Sequence, residues 1–477
     1  MELGLCNSAA DQASSLESST ASCSSTSSFS RCSNSSSSID FKLSIRSSYS
    51  HQSSASSLPS VSSFQRGSSV DSALLCLYTS CVFKNFPYKS LPSTAIASKS
   101  GITALCATES PELLLVGTES HGIHQNPCAS KEFEAVGSRG GSIKAILEHQ
   151  NRVLTAHQDG KIRVWRKKKR HRQEQGIISE EIELCHTLPT VKDVLSRSIL
   201  PSSYIQVRRH RKKLWIQHAD AVSCLAATKD LVFSASWDRS LKIWRAADWK
   251  CLNSVRAAHD DAINAVAAAQ QFVYTAAADG KIKAWELCSN SQSSSFLGGK
   301  NKAQIGLSLV AVLERHKSSV NALALDSSSG YLYSASSDRS IVVWEREETA
   351  MHMAAVDALR GHCMAVLCLA ISSGIQDGHF FLCSGSADRT IRVWSRERFT
   401  AIHSCLCVIK GHQGPVKSVS MAACSSSSIG AGARVVSGGL DRQVKTWWVS
   451  LDGSCPDQEK LENSLVLRDP GTLVLGM

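Results

Sequence analysis

Apolar and polar residues alternate in short runs over most of the chain, from about residue 94 to residue 449. In "KIRVW" (161 to 165), for example, Lys, Ile, Arg and Val alternate up to the Trp, and Gly, Ser, Asp or Asn separates many runs from the next. Alternation with a period of two is typical of β-strands that bury one face. The pattern predicts an all-β region built from many short strands.

An eleven-residue motif recurs within this region. Each copy has Ser or Thr four residues before an Asp and a Trp six residues after it. The six copies are "TAHQDGKIRVW" (155 to 165), "SASWDRSLKIW" (234 to 244), "TAAADGKIKAW" (275 to 285), "SASSDRSIVVW" (334 to 344), "SGSADRTIRVW" (384 to 394) and "SGGLDRQVKTW" (437 to 447). A motif repeated at one spacing indicates a structural period and not an active site.

A histidine precedes five of the copies and stands four residues before Val or Ile, as in "HDDAINAVA" from residue 259. An alternating apolar run follows it. Each unit therefore predicts four strands: one after the His, one ending near the Ser or Thr, one ending at the Trp, and one before the next His. A tight turn at Asp-Gly or Asp-Arg joins the second strand to the third.

These units resemble the WD-repeat family of β-propellers over roughly residues 94 to 449. In that family the His, the Ser or Thr, the Asp and the Trp form a hydrogen-bonded network that ties each blade together. Such a network suits a partly buried Asp, because His and Trp nitrogens supply donors. Carried over here, the five sets are His218, Ser234, Asp238 and Trp244; His259, Thr275, Asp279 and Trp285; His316, Ser334, Asp338 and Trp344; His362, Ser384, Asp388 and Trp394; and His412, Ser437, Asp441 and Trp447.

Two further units are incomplete. One keeps Thr155, Asp159 and Trp165 but has Arg139 where the His belongs. The other, "SGITALCATESPELLLVGTESHGIHQN" (100 to 126), keeps only the strand pattern. Counting it gives a seven-bladed propeller, with six or eight blades as the alternatives. Because closure removes unpaired strand edges, the segment around Thr94 to Lys99 is expected to add the outer strand of the last blade.

A stretch between two of the units has a more specific sequence than the repeat itself. It reads "TLPTVKDVLSRSILPSSYIQVRRHRKKLWIQHADAVSCL" (187 to 225) and is followed by "SASWDRSLKIWR". It resembles the plant WD-repeat group named for Jingubang, and nearly the whole propeller fits that group. The first blade departs from it, since the Asp and the Trp are missing. The resemblance implies a role in plant regulatory signalling.

The first 93 residues differ in composition from the repeat region. Serine makes up 29 of the first 70 residues, and large apolar groups are few. Such a segment cannot bury enough surface to offset its backbone entropy, so residues 1–93 are predicted to be disordered. A chloroplast transit peptide is the alternative, but four acidic residues among the first 40 argue against it. Residues 450–477 are expected to form a C-terminal tail.

The net charge of +11 arises mainly in one segment, since residues 166–213 carry 13 Lys or Arg against five acids. We interpret residues 166–214 as a basic inserted loop between blades 2 and 3, within which "VKDVLSRSIL" (191 to 200) suits a short helix. The clustered Lys and Arg residues of this segment fit a nuclear targeting signal, a nucleic-acid contact or a solvated surface. The residues for nuclear targeting are Lys167, Lys168, Lys169, Arg170, Arg208, Arg209, Arg211, Lys212 and Lys213.

Catalysis is not expected, because a Ser, a His and an Asp recur together in five equivalent sets, each with a Trp. The 18 cysteines are scattered without a CxxC pair, so we expect no metal and no cofactor. No small-molecule substrate is expected. No run approaches the roughly 18 apolar residues that cross a bilayer, so no membrane partner is expected either. The predicted location is cytoplasmic, nuclear or both.

Binding of proteins or peptides on a propeller face is the function that the resemblance implies. The family's ligand face carries the residues before each turn Asp and those beside the first strand's opening Val or Ile. Here these positions include Lys144, Gln158, Trp237, Asn264, Asn321, Leu367, Lys417 and Leu440. Trp237 is the candidate anchor, since large aromatic side chains often dominate interfaces.

Two other functions stay open as alternatives to a scaffold. A nucleic-acid-associated regulator would use the basic insertion. A ubiquitin-ligase substrate receptor would carry Trp-Asp-x-Arg at a strand end, but none of the six motif tryptophans is followed by Asp. Arg239, Arg339, Arg389 and Arg442 each follow a turn Asp, and a ring of these residues would suit phosphate or an acidic partner.

Overall fold

The described part of the chain consists almost entirely of short β-strands. A computed structural model describes residues 88–90, 94–95, 100–107, 113–119, 122–127, 134–137, 141–172, 177–290, 304–346, 353–372, 380–396, 402–426 and 430–450. All of them lie in one compact unit, Leu77–Met477. The predicted disordered segment, except for its last few residues, and the predicted tail after Ser450 lie outside the described residues.

Two short strands, β1 and β2, come first, and two sheets of four strands follow. The bounds are β1 (Tyr88–Ser90) and β2 (Thr94–Ala95); in blade 1, β3 (Ile102–Ala107), β4 (Leu113–Thr118), β5 (Ile123–Pro127) and β6 (Glu134–Gly137); and in blade 2, β7 (Ile143–His149), β8 (Arg152–His157), β9 (Ile162–Arg172) and β10 (Ile177–Leu188). The degenerate first unit therefore forms a complete four-stranded blade.

A helix and a hairpin separate blade 2 from blade 3. They comprise α1 (Val191–Ser198), a 3₁₀ turn (Pro201–Ser203), β11 (Tyr204–Arg208) and β12 (Arg211–Leu214). Thr190 caps α1 by accepting the amide hydrogen of Asp193 at 3.2 Å, which satisfies one of the free N–H groups at the helix start. The predicted short helix over "VKDVLSRSIL" is confirmed.

The remaining five sheets follow the repeat motif closely. Their strands are β13 (Val222–Ala227), β14 (Leu231–Ser236), β15 (Leu241–Arg245) and β16 (Cys251–Val255) in blade 3; β17 (Ile263–Ala269), β18 (Phe272–Ala277), β19 (Lys281–Asn290) and β20 (Gln304–Glu314) in blade 4; β21 (Val320–Leu325), β22 (Leu332–Ser336), β23 (Ser340–Arg346) and β24 (Met353–Arg360) in blade 5; β25 (Val366–Ser372), β26 (Phe380–Ser386), β27 (Thr390–Arg396) and β28 (His403–Lys410) in blade 6; and β29 (Val416–Ser426), β30 (Gly430–Gly439) and β31 (Gln443–Ser450) in blade 7.

The seven sheets form a closed ring. The first strand of each blade packs against the first strands of both neighbouring blades, and β29 of blade 7 packs against β3 of blade 1. Blade 7 obtains its outer strand from the start of the domain, where Thr94 pairs with Val444 and Tyr88 pairs with Val449. The predicted closure is confirmed. The start of the propeller at residue 94 is corrected, because β1 already begins at Tyr88.

The hydrophobic core lies between neighbouring blades. Every residue of β14 and β18 is buried, since each second strand has a further sheet on both faces. One cluster, for example, joins Phe381 and Val393 of blade 6 to Val416, Val435 and Trp447 of blade 7. Stability thus depends on contacts between blades as well as on hydrogen bonds within each sheet.

The predicted basic loop, 166–214, is corrected, because most of it has regular structure. β9 continues past Trp165 to Arg172, and β10 returns antiparallel to it, with Trp165 opposite Leu184 and Ile162 opposite Leu188. The fourth strand of blade 2 therefore lies inside the supposed insertion.

Candidate functional site

The repeated His, Ser or Thr, Asp and Trp form one compact brace in each of blades 4 to 7. In blade 4, His259 Nδ1 lies 2.9 Å from Asp279 Oδ2, and Nε2 lies 2.8 Å from Thr275 Oγ1. Trp285 Nε1 donates to the same Thr275 oxygen at 2.8 Å. The corresponding distances in blades 5, 6 and 7 all lie between 2.8 and 2.9 Å.

In blade 4 this geometry suits a neutral His259 that carries its proton on Nδ1. The Asp accepts from Nδ1–H, so Nε2 is left to accept from the hydroxyl, which in turn accepts the indole N–H. Burial lowers the pKa of His259, and it also lowers that of His412. Burial raises the pKa of Asp279, but hydrogen bonds from the Lys281 amide and His259 outweigh it and lower that pKa. One prediction is corrected: the Trp donates to the hydroxyl and not to the Asp.

In blade 3 the hydroxyl of Ser240 lies between the His and the Asp of the brace. His218 Nε2 lies 2.8 Å from Ser234 Oγ, and Nδ1 lies 2.8 Å from Ser240 Oγ. Ser240 then donates to Asp238 at 2.5 Å, while His218 itself is 3.6 Å from the carboxylate. Asp238 also accepts from the backbone N–H of Ala219 at 2.5 Å. The turn Asp thus fastens the loop that precedes the first strand.

Blade 2 replaces the missing histidine with one from its own second strand. His157 lies two residues before Asp159, and its Nε2 is 2.7 Å from Thr155 Oγ1, which accepts from Trp165 at 2.9 Å. Asp159 pairs instead with Arg163, at 2.8 Å. Sequence reasoning had placed Arg139 at the His position and missed His157, although "TAHQD" stands in the motif itself.

We expect His157 to make the stability of the protein depend on pH. Burial, and then the charge of Arg163, lower the pKa of His157 from 6.5 to about 4. Between these two pH values the unfolded chain binds a proton that the folded chain does not, so this contribution is complete above pH 6.5 and is lost as the pH falls toward 4. The gap corresponds to roughly 3 kcal/mol.

The measurement is the free energy of unfolding in urea at several pH values, for the wild type and His157→Gln. Gln offers polar atoms toward Thr155 but does not titrate. We expect a flatter profile for the variant. Parallel profiles for the two proteins would contradict the assignment.

A second repeated hydrogen bond defines one face of the ring, which we call the turn face. In each blade, the residue just before the turn Asp donates its backbone N–H to the carbonyl of the residue just before the first strand. Trp237, for example, donates to Ala221 O at 3.1 Å. Blade 1 has no turn Asp, and Glu119 is the donor at the equivalent position. The same bond occurs in all seven blades. Its donors are Glu119, Gln158, Trp237, Ala278, Ser337, Ala387 and Leu440. These positions therefore form a ring on the turn face.

The predicted partner-binding residues divide into two groups on this face. Asn264 Nδ2 donates to Val320 O at 3.0 Å, and Asn321 Nδ2 donates to Val366 O at 2.8 Å, so both amides tie one blade to the next. The exposed members are Gln158, Trp237, Lys417 and Leu440, and Leu367 is half-buried. The second group is free to meet a partner.

Trp237 and Lys144 form the most distinctive feature of the turn face. The Trp237 side chain is 40% exposed, and Lys144 Nζ lies 5.1 Å from the centre of its ring. An ammonium at this distance from an indole makes a cation–π contact. Burial lowers the pKa of Lys144, Glu119 raises it and Lys417 lowers it further, so these charges lie near one another.

The arginines that follow the turn Asp adopt a left-handed backbone. The φ angles of Arg239, Arg339, Arg389 and Arg442 lie between 66° and 73°. At the same turn position Gly160 has φ +79°, and a Cβ there would lie 3.0 Å from Asp220 O of the next blade. Glycine is therefore needed in blade 2, where the neighbouring loop presses on the turn, whereas the four arginines are exposed.

The predicted targeting residues are partly engaged in the fold. Lys167 forms an ion pair with Glu148, and Lys168 lies 2.6 Å from Glu183 on the paired strand. Lys213 Nζ donates to the carbonyl oxygen of His218 at 3.1 Å. Arg209, Arg211 and Lys212 are exposed on the β11–β12 hairpin, and the side chains of Lys169, Arg170 and Arg208 lie outside the described residues.

A buried ion pair between blades 5 and 6 had no sequence signal. Arg396 Nη2 lies 3.2 Å from Asp326 Oδ2, and the two side chains are 4% and 2% exposed. The Arg396 guanidinium also lies over Tyr331, 4.0 Å from its ring centre. Nearby, Tyr333 Oη lies 3.1 Å from Nε2 of His403, whose Nδ1 is 3.3 Å from Asp357. These side chains connect the two blades through polar groups.

The described residues contain no group of three or more His, Cys, Asp or Glu side chains placed to hold a metal ion. Within the same residues, no helix is long and apolar enough to cross a membrane.

A closed ring of seven β-sheets around an axis, in which the outer strand of blade 7 is divided into β1 and β2, defines a β-propeller. Five segments match the family model described as WD domain, G-beta repeat, at residues 210–245, 249–286, 307–345, 354–395 and 403–447. Each match ends at the motif Trp or one residue after it. The fold is therefore a seven-bladed β-propeller in which blades 3 to 7 match the WD repeat. No curated protein matches the chain significantly.

Proposed function

We propose that this protein is a non-enzymatic scaffold that binds partner proteins on the turn face. Propellers with WD repeats generally mediate protein–protein interactions. The observation that carries the proposal is Trp237, a 40% exposed indole beside Lys144 on that face. An exposed aromatic side chain on a rigid scaffold is the typical anchor of an interface.

The braces support a non-enzymatic role. A serine nucleophile must reach substrate, yet Ser234, Ser334, Ser384 and Ser437 are fully buried. Each hydroxyl is also held between a His nitrogen and an indole N–H, so no face of it is open for attack. These groups stabilise blades, and the chemistry that the motif suggests is structural.

Regulatory signalling in plants is the finer form of this proposal. Its support is the resemblance of residues 187–225 to the Jingubang group, together with an ordered α1 and hairpin in that stretch. Nuclear targeting by the basic clusters stays a prediction, and Arg209, Arg211 and Lys212 are the exposed candidates for it. We do not adopt the nucleic-acid alternative, because Lys167, Lys168 and Lys213 are engaged within the fold.

We expect Trp237→Ala to weaken partner binding without unfolding the protein. Truncating a central interface aromatic typically costs about 2 kcal/mol or more of binding free energy, which is roughly a thirtyfold rise in Kd. The partner would be identified by proximity labelling with the full chain, and its Kd measured for the wild type, Trp237→Ala and Lys144→Ala.

The matched control is Leu309→Ala, which truncates a 48% exposed side chain on the outer strand of blade 4. The control should bind as the wild type does. If Trp237→Ala and Lys144→Ala both retain every partner at unchanged Kd, these two residues do not form the interface.

A further inference from the structure

Helix α1 presents an aliphatic stripe to solvent, which we call the apolar ridge. Val191 and Leu195 lie in α1 and Ile199 is its C-cap, and their spacing of four residues places the three side chains on one face. Their exposed fractions are 76%, 62% and 80%, and Leu200, at 54%, extends the ridge. No residue of α1 is buried. Four exposed aliphatic side chains in ten residues need an explanation, since soluble surfaces rarely group them.

The ridge is held in place by the opposite side of the helix. Val194 packs against the cluster that includes Leu214 and Ile216 of the blade 2–3 boundary. Arg197 lies over the Trp215 ring, 4.6 Å from its centre, and Tyr204 Oη donates to Ser198 O at 3.2 Å. The side chains of the ridge thus project from an anchored helix.

Positive charge surrounds the ridge. Residues 189–213 contain seven Lys or Arg and one acid, Asp193. Strand β12 packs against α1, so the exposed Arg211 and Lys212 lie on the neighbouring element. Lys192 on the helix and Arg209 at the hairpin turn are exposed as well. Within the described residues, no carboxylate forms an ion pair with any of these four side chains.

We propose that the apolar ridge and the β11–β12 hairpin together dock the propeller on an anionic bilayer surface. A short helix with aliphatic side chains on one face and Lys or Arg beside them fits the interface between acyl chains and acidic headgroups. Charge complementarity identifies the lipid class, since only negatively charged headgroups would neutralise this surface. A projecting ridge also enters a deformable bilayer without a preformed groove.

The proposed contact is peripheral and departs from the sequence-based expectation that there is no membrane partner. That expectation rested on a search for long apolar runs, and such a search misses two turns of an amphipathic helix. The contact uses the apolar ridge and the hairpin, and neither Trp237 nor Lys144 belongs to it. The two proposals can therefore fail independently.

The test is sedimentation of the full chain with vesicles of phosphatidylcholine mixed with phosphatidylserine, compared with phosphatidylcholine alone. We expect binding to the acidic vesicles only, weakened by added salt because salt screens the charges. Soluble glycerophosphoserine and inorganic phosphate should not release the protein. Release by either one would show that a free phosphate site, and not a bilayer, accounts for binding.

Two double variants test the two components of the surface, the apolar ridge and the basic hairpin. Leu195→Ser with Ile199→Ser should reduce partition by about tenfold or more, and so should Arg211→Gln with Lys212→Gln. The matched controls are Leu309→Ser with Val312→Ser on the outer strand of blade 4, and Arg315→Gln with Lys317→Gln. These replace exposed side chains of the same kinds elsewhere and should bind as the wild type does.

A gain-of-binding variant guards against effects of misfolding. Leu195→Phe enlarges the apolar ridge and should strengthen partition several-fold. The proposal is overturned if the wild type does not sediment with acidic vesicles at low salt. It is also overturned if the ridge variant binds as the wild type does, which would indicate a purely electrostatic polyanion contact, or if the controls lose binding equally.

Discussion

Replacing Trp394 with Ala is expected to lower the free energy of unfolding by about 3–5 kcal/mol. The indole is fully buried and lies in the cluster that joins Tyr333 of blade 5 to Leu382 of blade 6. Its removal leaves a cavity between two sheets and also deprives Ser384 Oγ of a donor at 2.9 Å. Chemical denaturation followed by circular dichroism provides the measurement.

Two further substitutions separate the causes of that loss. Trp394→Phe fills most of the cavity but cannot donate to Ser384, so it should cost about 1 kcal/mol for the hydrogen bond plus a smaller packing loss. Trp237→Ala makes the same truncation as Trp394→Ala at an exposed position and should cost less than about 1 kcal/mol. If both variants lose the same unfolding free energy, then burial of Trp394 and its hydrogen bond to Ser384 add no stability.

Replacing Arg396 with Met is expected to destabilise the protein by about 3–5 kcal/mol, because it leaves Asp326 buried and without its cation. Ser328 and Ser329 still donate to Asp326, and these bonds limit the loss. Hydrogen bonds from these serines and the charge of Arg396 lower the pKa of Asp326 against the effect of burial. Without Arg396 we expect that pKa to rise.

The double variant Asp326→Leu with Arg396→Met tests whether the charge or the packing matters. Replacing both members of a buried pair by apolar groups is often close to neutral, so the double variant should recover most of the stability lost in Arg396→Met. Measured unfolding free energies for the two single variants and the double variant complete the cycle. Additive losses would mean that Asp326 and Arg396 are not coupled.

The propeller could be predicted from the sequence because one motif recurs at a fixed spacing in six of the seven blades. The spacing from Ser234 to Asp238 to Trp244 fixes a strand, a turn and a second strand, and six copies of it leave little freedom. Blade 1 was recognisable by alternation alone, and closure followed from the need to pair the edge of β31. Local hydrogen bonds and strand periodicity therefore determine most of the fold.

Contacts made between blades were harder to foresee. Asn264 and Asn321 occupy positions typical of a ligand face, yet their amides hydrogen-bond to the next blade, a choice that depends on the distance between two sheets. Asp326 and Arg396 are 70 residues apart and belong to no motif. The fourth strand of blade 2 was hidden because its charges suggested a loop. Sequence patterns describe neighbours along the chain better than neighbours in space.

Pairing of Tyr88 with Val449 has a consequence for how the chain is made. These two residues are 361 positions apart, so a ribosome working at roughly 5–20 residues per second needs about 20 to 70 seconds between them. During that time β1 and β2 lack their partner strand β31, while blades 1 to 6 can be completed in order. A chain interrupted before β31 is made cannot finish blade 7, so the ring closes only after synthesis has passed Ser450.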